Sequence, residues 1–146
     1  MLKKLQQLTA ECDASILYEP LASEIDYRDD SFPLEFGTDS IVLPQTRESD
    51  PFAWAEKCNI VFENIKPYIL IPGMQFDIYG TRHGKGGGWY DRFLSKIPKT
   101  WLKIGIAYES QVSFIPIKRE SWDVPLDFIV IRHGNTWSAI RPVNRD

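Results

Sequence analysis

Four of the chain's nine glycines, Gly84, Gly86, Gly87 and Gly88, fall within five positions around one lysine in GTRHGKGGGWYDRF, residues 80–93. Ordering a glycine costs backbone entropy. Such a cluster therefore marks a place where something approaches the backbone closely, or where the backbone turns and a side chain would clash. The flanks narrow the choice. Before the cluster, PYILIPG (residues 67–73) is an unbroken apolar run bounded by Pro67, Pro72 and Gly73. A short run that is apolar on both faces fits a central parallel strand covered by helices. After the cluster, Trp89, Tyr90, Phe93, Leu94 and Ile97 recur at helical spacing, and Pro98 ends the pattern. WLKIGIAYE then alternates as a strand. Strand, glycine loop, helix, strand is the order of a βαβ unit, which places ligands at the carboxyl ends of its strands.

The rest of the chain reads consistently with that unit. Leu2, Leu5 and Leu8 suggest a short first helix, and SILY, IVLP (residues 41–44) and DFIVI (residues 127–131) read as strands. Residues 19–40 are rich in Asp, Ser and Pro and read as loop, and QTRESD reads as a linker. The pattern of PFAWAEKCNIVF fits strand and helix equally. His133-Gly134-Asn135 marks a turn into a last edge strand that stops at Pro142. The fold class that follows is α/β: a single three-layer domain over residues 1–146, with a mostly parallel central sheet flanked by helices. With 146 residues and 43% hydrophobic content, such a domain can bury a proper core.

Charge is distributed unevenly. Residues 1–79 carry 6 basic against 14 acidic side chains, and residues 80–146 carry 11 against 6. The basic half holds the glycine loop, which suits a small anionic ligand. The basic residues are scattered without interleaved aromatics, which argues against nucleic acid. No window approaches the roughly 20 apolar residues of a membrane span, and no apolar run follows the N-terminal lysines as in a secretory signal. Cys12 and Cys58 show no metal-ligand spacing. These features point to a cytoplasmic chain with reduced thiols.

A glycine turn before a helix lets free backbone N–H groups close on a phosphate. Lys85 and Arg82 can add charge-assisted bonds to its oxygens. Asp91, in the first helical turn, serves either as a partner of the helix dipole or as a ligand for phosphate-bridging magnesium. The spacing matches neither the Walker pattern nor the dinucleotide fingerprint. A tight surface turn without a ligand is the competing account.

The stretch PGMQFDIYGTRHGKGGGWYDRFL resembles the signature of the 5-formyltetrahydrofolate cyclo-ligase family. The matching positions are Pro72-Gly73, Phe76-Asp77, Gly80, Arg82, Gly84, Gly86, Gly88, Trp89, Tyr90 and Asp91. LYEPLASEID, IGIAYESQV and IPIKRESWDVPLDFIV are similar to the flanking family segments. The resemblance implies a NagB/RpiA/CoA-transferase-like domain and an enzyme using ATP and Mg²⁺. The implied reaction closes 5-formyltetrahydrofolate into 5,10-methenyltetrahydrofolate and releases ADP and phosphate. It also implies site residues. Arg82, His83, Gly84, Lys85, Gly86, Gly87, Gly88, Trp89 and Tyr90 would line the ATP phosphates, with Lys85, Arg82 and Tyr90 acting in catalysis. Glu24, Tyr18, Lys85 and Trp89 would bind the folate, and Asp91 and Asp123 the metal. Trp54 and Trp122 are further candidates for stacking on the pterin, against the usual fate of tryptophan as core. The expected state is a monomer or weak homo-oligomer, with the folate as partner and no nucleic acid or membrane.

The chain also departs from the family pattern. The family usually opens with a longer basic helix that helps hold ATP, whereas MLKKLQQL offers Lys3 and Lys4 and no following arginine. His83 stands where leucine is usual, and the Glu-Pro pair common before the central strand is missing. A catalytically weak or inactive homologue that binds folate or a phosphate-bearing ligand is the alternative these departures leave open.

Overall fold

A computed structural model describes residues 1–45, 49–85 and 87–143. Helix α1 (Leu2–Ala10) leads into β1 (Ala14–Tyr18). Strand β2 (Asp39–Leu43), helix α2 (Pro51–Val61) and strand β3 (Pro67–Ile71) follow. Two short strands, β4 (Gln75–Asp77) and β5 (Arg82–His83), precede helix α3 (Trp89–Leu94). Strands β6 (Leu102–Tyr108), β7 (Val112–Ser113), β8 (Phe128–His133) and β9 (Thr136–Ile140) complete the order.

Six strands form the central sheet in the order β2-β1-β3-β6-β8-β9. All neighbours are parallel except β9, which runs antiparallel to β8. Every residue of β3 is buried, as the unbroken apolar run requires. Alternate residues feed two cores. Ile69 and Ile71 pack with Ala55 and Cys58 of α2 and with Tyr90, Phe93 and Leu94 of α3. Tyr68 and Leu70 pack on the opposite face with Leu5 of α1 and with Ile25, Tyr27 and Leu34 of the following loop. Each such side chain removed from water contributes roughly 1.5–3 kcal/mol. The layers are therefore helix, sheet and, on the far face, one nine-residue helix with an aromatic loop.

Residues 51–61, undecided from their pattern, are helical because of their start. Asp50 caps the end, accepting from Phe52 N–H at 2.9 Å, and Pro51 occupies the first helical position. Helix α3 stops at Leu94 rather than reaching Ile97. Lys96 N–H bonds the Phe93 carbonyl at 3.2 Å, which tightens the last turn, and Ile97 still reaches the core. The turn before β9 is as expected, with Gly134 at φ 63°.

A three-stranded sheet ordered β5-β4-β7 was not anticipated from the sequence. Strand β4 pairs antiparallel with β5 and parallel with β7. Strands β4 and β5 come from the crossover between β3 and β6 and β7 from the connection between β6 and β8, so the small sheet ties the two together and carries the stem of the glycine loop. Among the described residues no helix is long and apolar enough to cross a membrane. Cys12 and Cys58 are both free thiols.

Candidate functional site

A cavity of about 460 Å³ is lined by four chain segments. Leu21 and Glu24 come from the loop after β1, and Gly73 and Met74 from the end of β3. The glycine loop and the start of α3 form a third wall, and Lys118, Glu120, Trp122 and Asp123 a fourth. The volume lies within the range of small-molecule sites, and the placement is the carboxyl end of a parallel sheet.

The glycine loop turns into α3 at Gly88, whose φ of 66° is left-handed backbone that side chains rarely adopt. Gly87 has no such constraint: a Cβ there would meet nothing within 4 Å. Its lack of a side chain keeps the cavity wall open without being needed for the turn. Gly84 also lines the cavity, and Gly86 lies outside the described residues. The first recorded backbone bond of α3 runs from Arg92 N–H to the Gly88 carbonyl at 3.1 Å. Helix geometry leaves the N–H groups of the first turn without intrahelical partners.

Arg82 is anchored at the base of this loop. Its Nε donates to the Pro72 carbonyl, and its guanidinium lies 4.9 Å from the centre of the Tyr90 ring. Burial lowers the guanidinium from its ordinary value, against the opposing pull of Tyr90, Asp91, Glu24 and Asp123. Lys85 is exposed, lines the cavity and has no recorded pair among the described residues. Tyr90 is buried, and that burial holds its phenol far above the usual range, so it remains a neutral hydrogen-bonding group.

Two carboxylates reach the cavity from turns of the same construction. Glu24 N–H bonds the Leu21 carbonyl at 2.9 Å while Leu21 N–H bonds Glu24 Oε1 at 2.8 Å. Asp123 N–H bonds the Glu120 carbonyl at 3.1 Å while Glu120 N–H bonds Asp123 Oδ2 at 2.8 Å. Each acid spends one oxygen closing its own turn and retains the other. Asp123 stands close enough to Asp91 for the two carboxyls to interact electrostatically. Burial raises the Asp91 carboxyl above its usual range; Arg82 opposes the rise and Asp123 adds to it.

Two facing acids can offer oxygens to a divalent cation, with Arg82 a neighbouring positive charge and not a ligand. Among the described residues no group of three His, Cys, Asp or Glu side chains gathers to cage one. That sparse donor set fits magnesium, which is commonly held by one or two carboxylates together with phosphate and water.

Two expected residues, Tyr18 and Trp54, sit elsewhere, and others line the cavity with part of their side chains already engaged. Tyr18 does not line the cavity: it belongs to the far core, and its hydroxyl donates to the Ile25 carbonyl at 2.7 Å. What it steadies is the backbone beside Glu24. Trp89 touches the cavity, yet its ring stacks on Phe93 at 5.6 Å and its indole N–H donates to the Ser49 carbonyl at 3.0 Å. It is mostly core, with an edge at the cavity wall. Trp54 packs at the edge of the same core. His83 lines the cavity with its Nε2 engaged by the Lys118 carbonyl. Trp122 lines the cavity at its rim, 63% exposed. Met74, Lys118 and Glu120 also line the site, and the sequence carried no signal for them, because loop contacts bring them there.

A model of the 5-formyltetrahydrofolate cyclo-ligase family matches residues 40–132. The chain belongs to this family. The 5-formyltetrahydrofolate cyclo-ligase of Mycoplasma pneumoniae is 33% identical over 78% of this chain and 70% of its own length. That of Haemophilus influenzae is 38% identical over 61% of this chain and 50% of its own length. A solved 5,10-methenyltetrahydrofolate synthetase from Mycoplasma pneumoniae aligns with a TM-score of 0.58 at 26% identity, covering 88% of this chain and 80% of that one. The fold, the central signature and the cavity thus meet in a family of enzymes.

Proposed function

We propose that the chain is an ATP- and magnesium-dependent 5-formyltetrahydrofolate cyclo-ligase that forms 5,10-methenyltetrahydrofolate with release of ADP and phosphate. The observation that carries this reading is the convergence of Arg82, Lys85, Asp91, Asp123 and Glu24 on one cavity from three separate segments.

When bound, magnesium nucleotide supplies the phosphoryl group that turns the formyl oxygen into a leaving group. The chain's own residues supply position and charge. Lys85, unpaired among the described residues, is placed to neutralise the outer phosphate oxygens. Arg82, held by Pro72 and Tyr90, offers its remaining N–H groups from a fixed base. Asp91 and Asp123 would hold the cation. The neutral Tyr90 phenol can donate to an oxygen that gains charge. Glu24 retains one carboxylate oxygen to accept N–H bonds from the pterin. Gly87 leaves room for the ligand to come up to the loop backbone.

A second reading, a homologue that binds folate or a phosphate-bearing ligand with little turnover, draws on one observation. Lys3 and Lys4 on α1 are exposed and do not line the cavity, so they do not replace the basic contacts of the family's usual first helix. Mixing the protein with 5-formyltetrahydrofolate and MgATP, and following the absorbance of the methenyl product, separates the two. Product requiring both substrates is expected. Folate binding without product would move the conclusion to the second reading.

A further inference from the structure

Beyond the cavity lining, one set of contacts repeatedly joins the same two pieces of chain: the hairpin of β4 and β5, and residues 117–126. Ile117 N–H donates to Asp77 Oδ2 at 3.0 Å. The Lys118 carbonyl accepts from His83 Nε2, which must carry the proton because a carbonyl only accepts. Arg119 forks onto the hairpin turn, with Nε donating to Thr81 Oγ1 at 3.0 Å and Nη2 to the Tyr79 carbonyl at 2.8 Å. Leu126 N–H donates to the Gly80 carbonyl at 3.0 Å. Three successive residues and a later one are thus stapled to the turn. Asp77 is fully buried, and its other oxygen shapes that turn by accepting from Tyr79 and Thr81 N–H, each at 2.9 Å.

Between these staples stands the turn that presents Asp123 to Asp91. Within its own turn Asp123 is tied to Glu120 alone. Its place opposite α3 is therefore set by the stapled flanks together with the adjoining Val124, whose backbone meets the Asp91 carboxyl and whose side chain packs on the near core. Arg119 does not line the cavity and is not placed to touch a ligand. Its planar fork meets two acceptors on one turn at a fixed angle, which a lysine ammonium cannot reproduce.

We infer that Arg119 is a positioning residue for the cation site, setting through its grip on Tyr79 and Thr81 where Asp123 stands relative to Asp91. This rests on the reading of Asp91 and Asp123 as magnesium ligands given above. Partners that orient metal ligands commonly cost tenfold or more in metal affinity when removed.

The test uses Arg119→Met and Arg119→Lys in the full chain, with two readouts. Magnesium is titrated calorimetrically in the presence of a non-hydrolysable ATP analogue, and analogue binding is measured separately without metal. Hydrogen exchange of amides 117–123 is followed in the ligand-free protein. Arg119→Met should weaken magnesium by about tenfold, leave metal-free analogue binding unchanged and speed exchange across the segment. Arg119→Lys should fall between it and the parent. Wild-type magnesium affinity in both variants overturns the inference, as does unchanged exchange or an equal loss of metal and analogue. A parent protein that takes up no magnesium sinks the ligand assignment itself. That failure is distinct, because in the other cases the parent binds magnesium.

Discussion

Truncating Lys85 to alanine separates binding from folding more cleanly than any other change in the loop. Lys85 is exposed and makes no recorded pair among the described residues, so the folded chain loses no internal contact with it. A surface change of this kind alters stability by less than about 0.5 kcal/mol, or a melting shift of only about 1–2 °C for a domain of this size. If the ammonium meets a phosphate, the bound state loses a hydrogen bond to a charged group, about 1.5–3 kcal/mol. At 1.4 kcal/mol per factor of ten, nucleotide affinity falls roughly ten- to hundredfold. Calorimetric titration with MgATP beside a thermal melt reads both quantities on one sample. An unaltered ATP affinity would refute the phosphate role, and a melt lowered by several degrees would refute the claim that Lys85 is free. Arg82 offers no such separation, because removing it also strips the Pro72 carbonyl bond and the face of Tyr90.

Two further outcomes follow from the same geometry. Gly88→Ala should cost about 1–2 kcal/mol in urea denaturation, since an L-residue is forced to the left-handed φ of 66°. Gly87→Ala should melt like the parent yet bind nucleotide more weakly; equal melts for the two variants would discard the conformational distinction. Burial pushes the Cys58 thiol from 9.0 up to about 12. The folded state therefore keeps a proton that the unfolded state loses above pH 9, so stability is intact below that pH and falls as pH rises toward 12. Each unit in this window costs about 1.4 kcal/mol. Cys58→Ala should flatten the alkaline slope of urea midpoints, and an identical slope would show that the thiol does not contribute.

The main sheet was legible because β1, β3 and β8 are runs of apolar residues that only a covered strand explains. Helix α2 was harder: its apolar residues do not keep to one face, with Phe52, Ile60 and Val61 exposed, and the Asp50-Pro51 start carried the decision. The small sheet was hidden because strands of two and three residues leave no period to detect. In the site, the glycines and Arg82, Lys85 and Asp91 were visible because they sit together in sequence, and Glu24 and Asp123 because they fall in segments similar to the family pattern. Tyr18 fell in such a segment too, but it breaks the alternation of β1 at the strand's end: Ile16 faces the near core, while Leu17 and Tyr18 both join the far one, which neither motif nor period foretells. Lys118 and Arg119 looked like ordinary surface charge. Their places come from contacts with residues about 40 positions earlier, such as the Arg119 bond to Tyr79, which no local pattern encodes.

The turns that end in Glu24 and Asp123 are each closed by the acid they present. Backbone closure and placement of charge are a single event in both, so an opened turn withdraws its acid. Heat that loosens these surface corners would silence the protein while its sheet is still whole. Its working ceiling is then set by a handful of hydrogen bonds at the rim, well below the temperature its core could withstand.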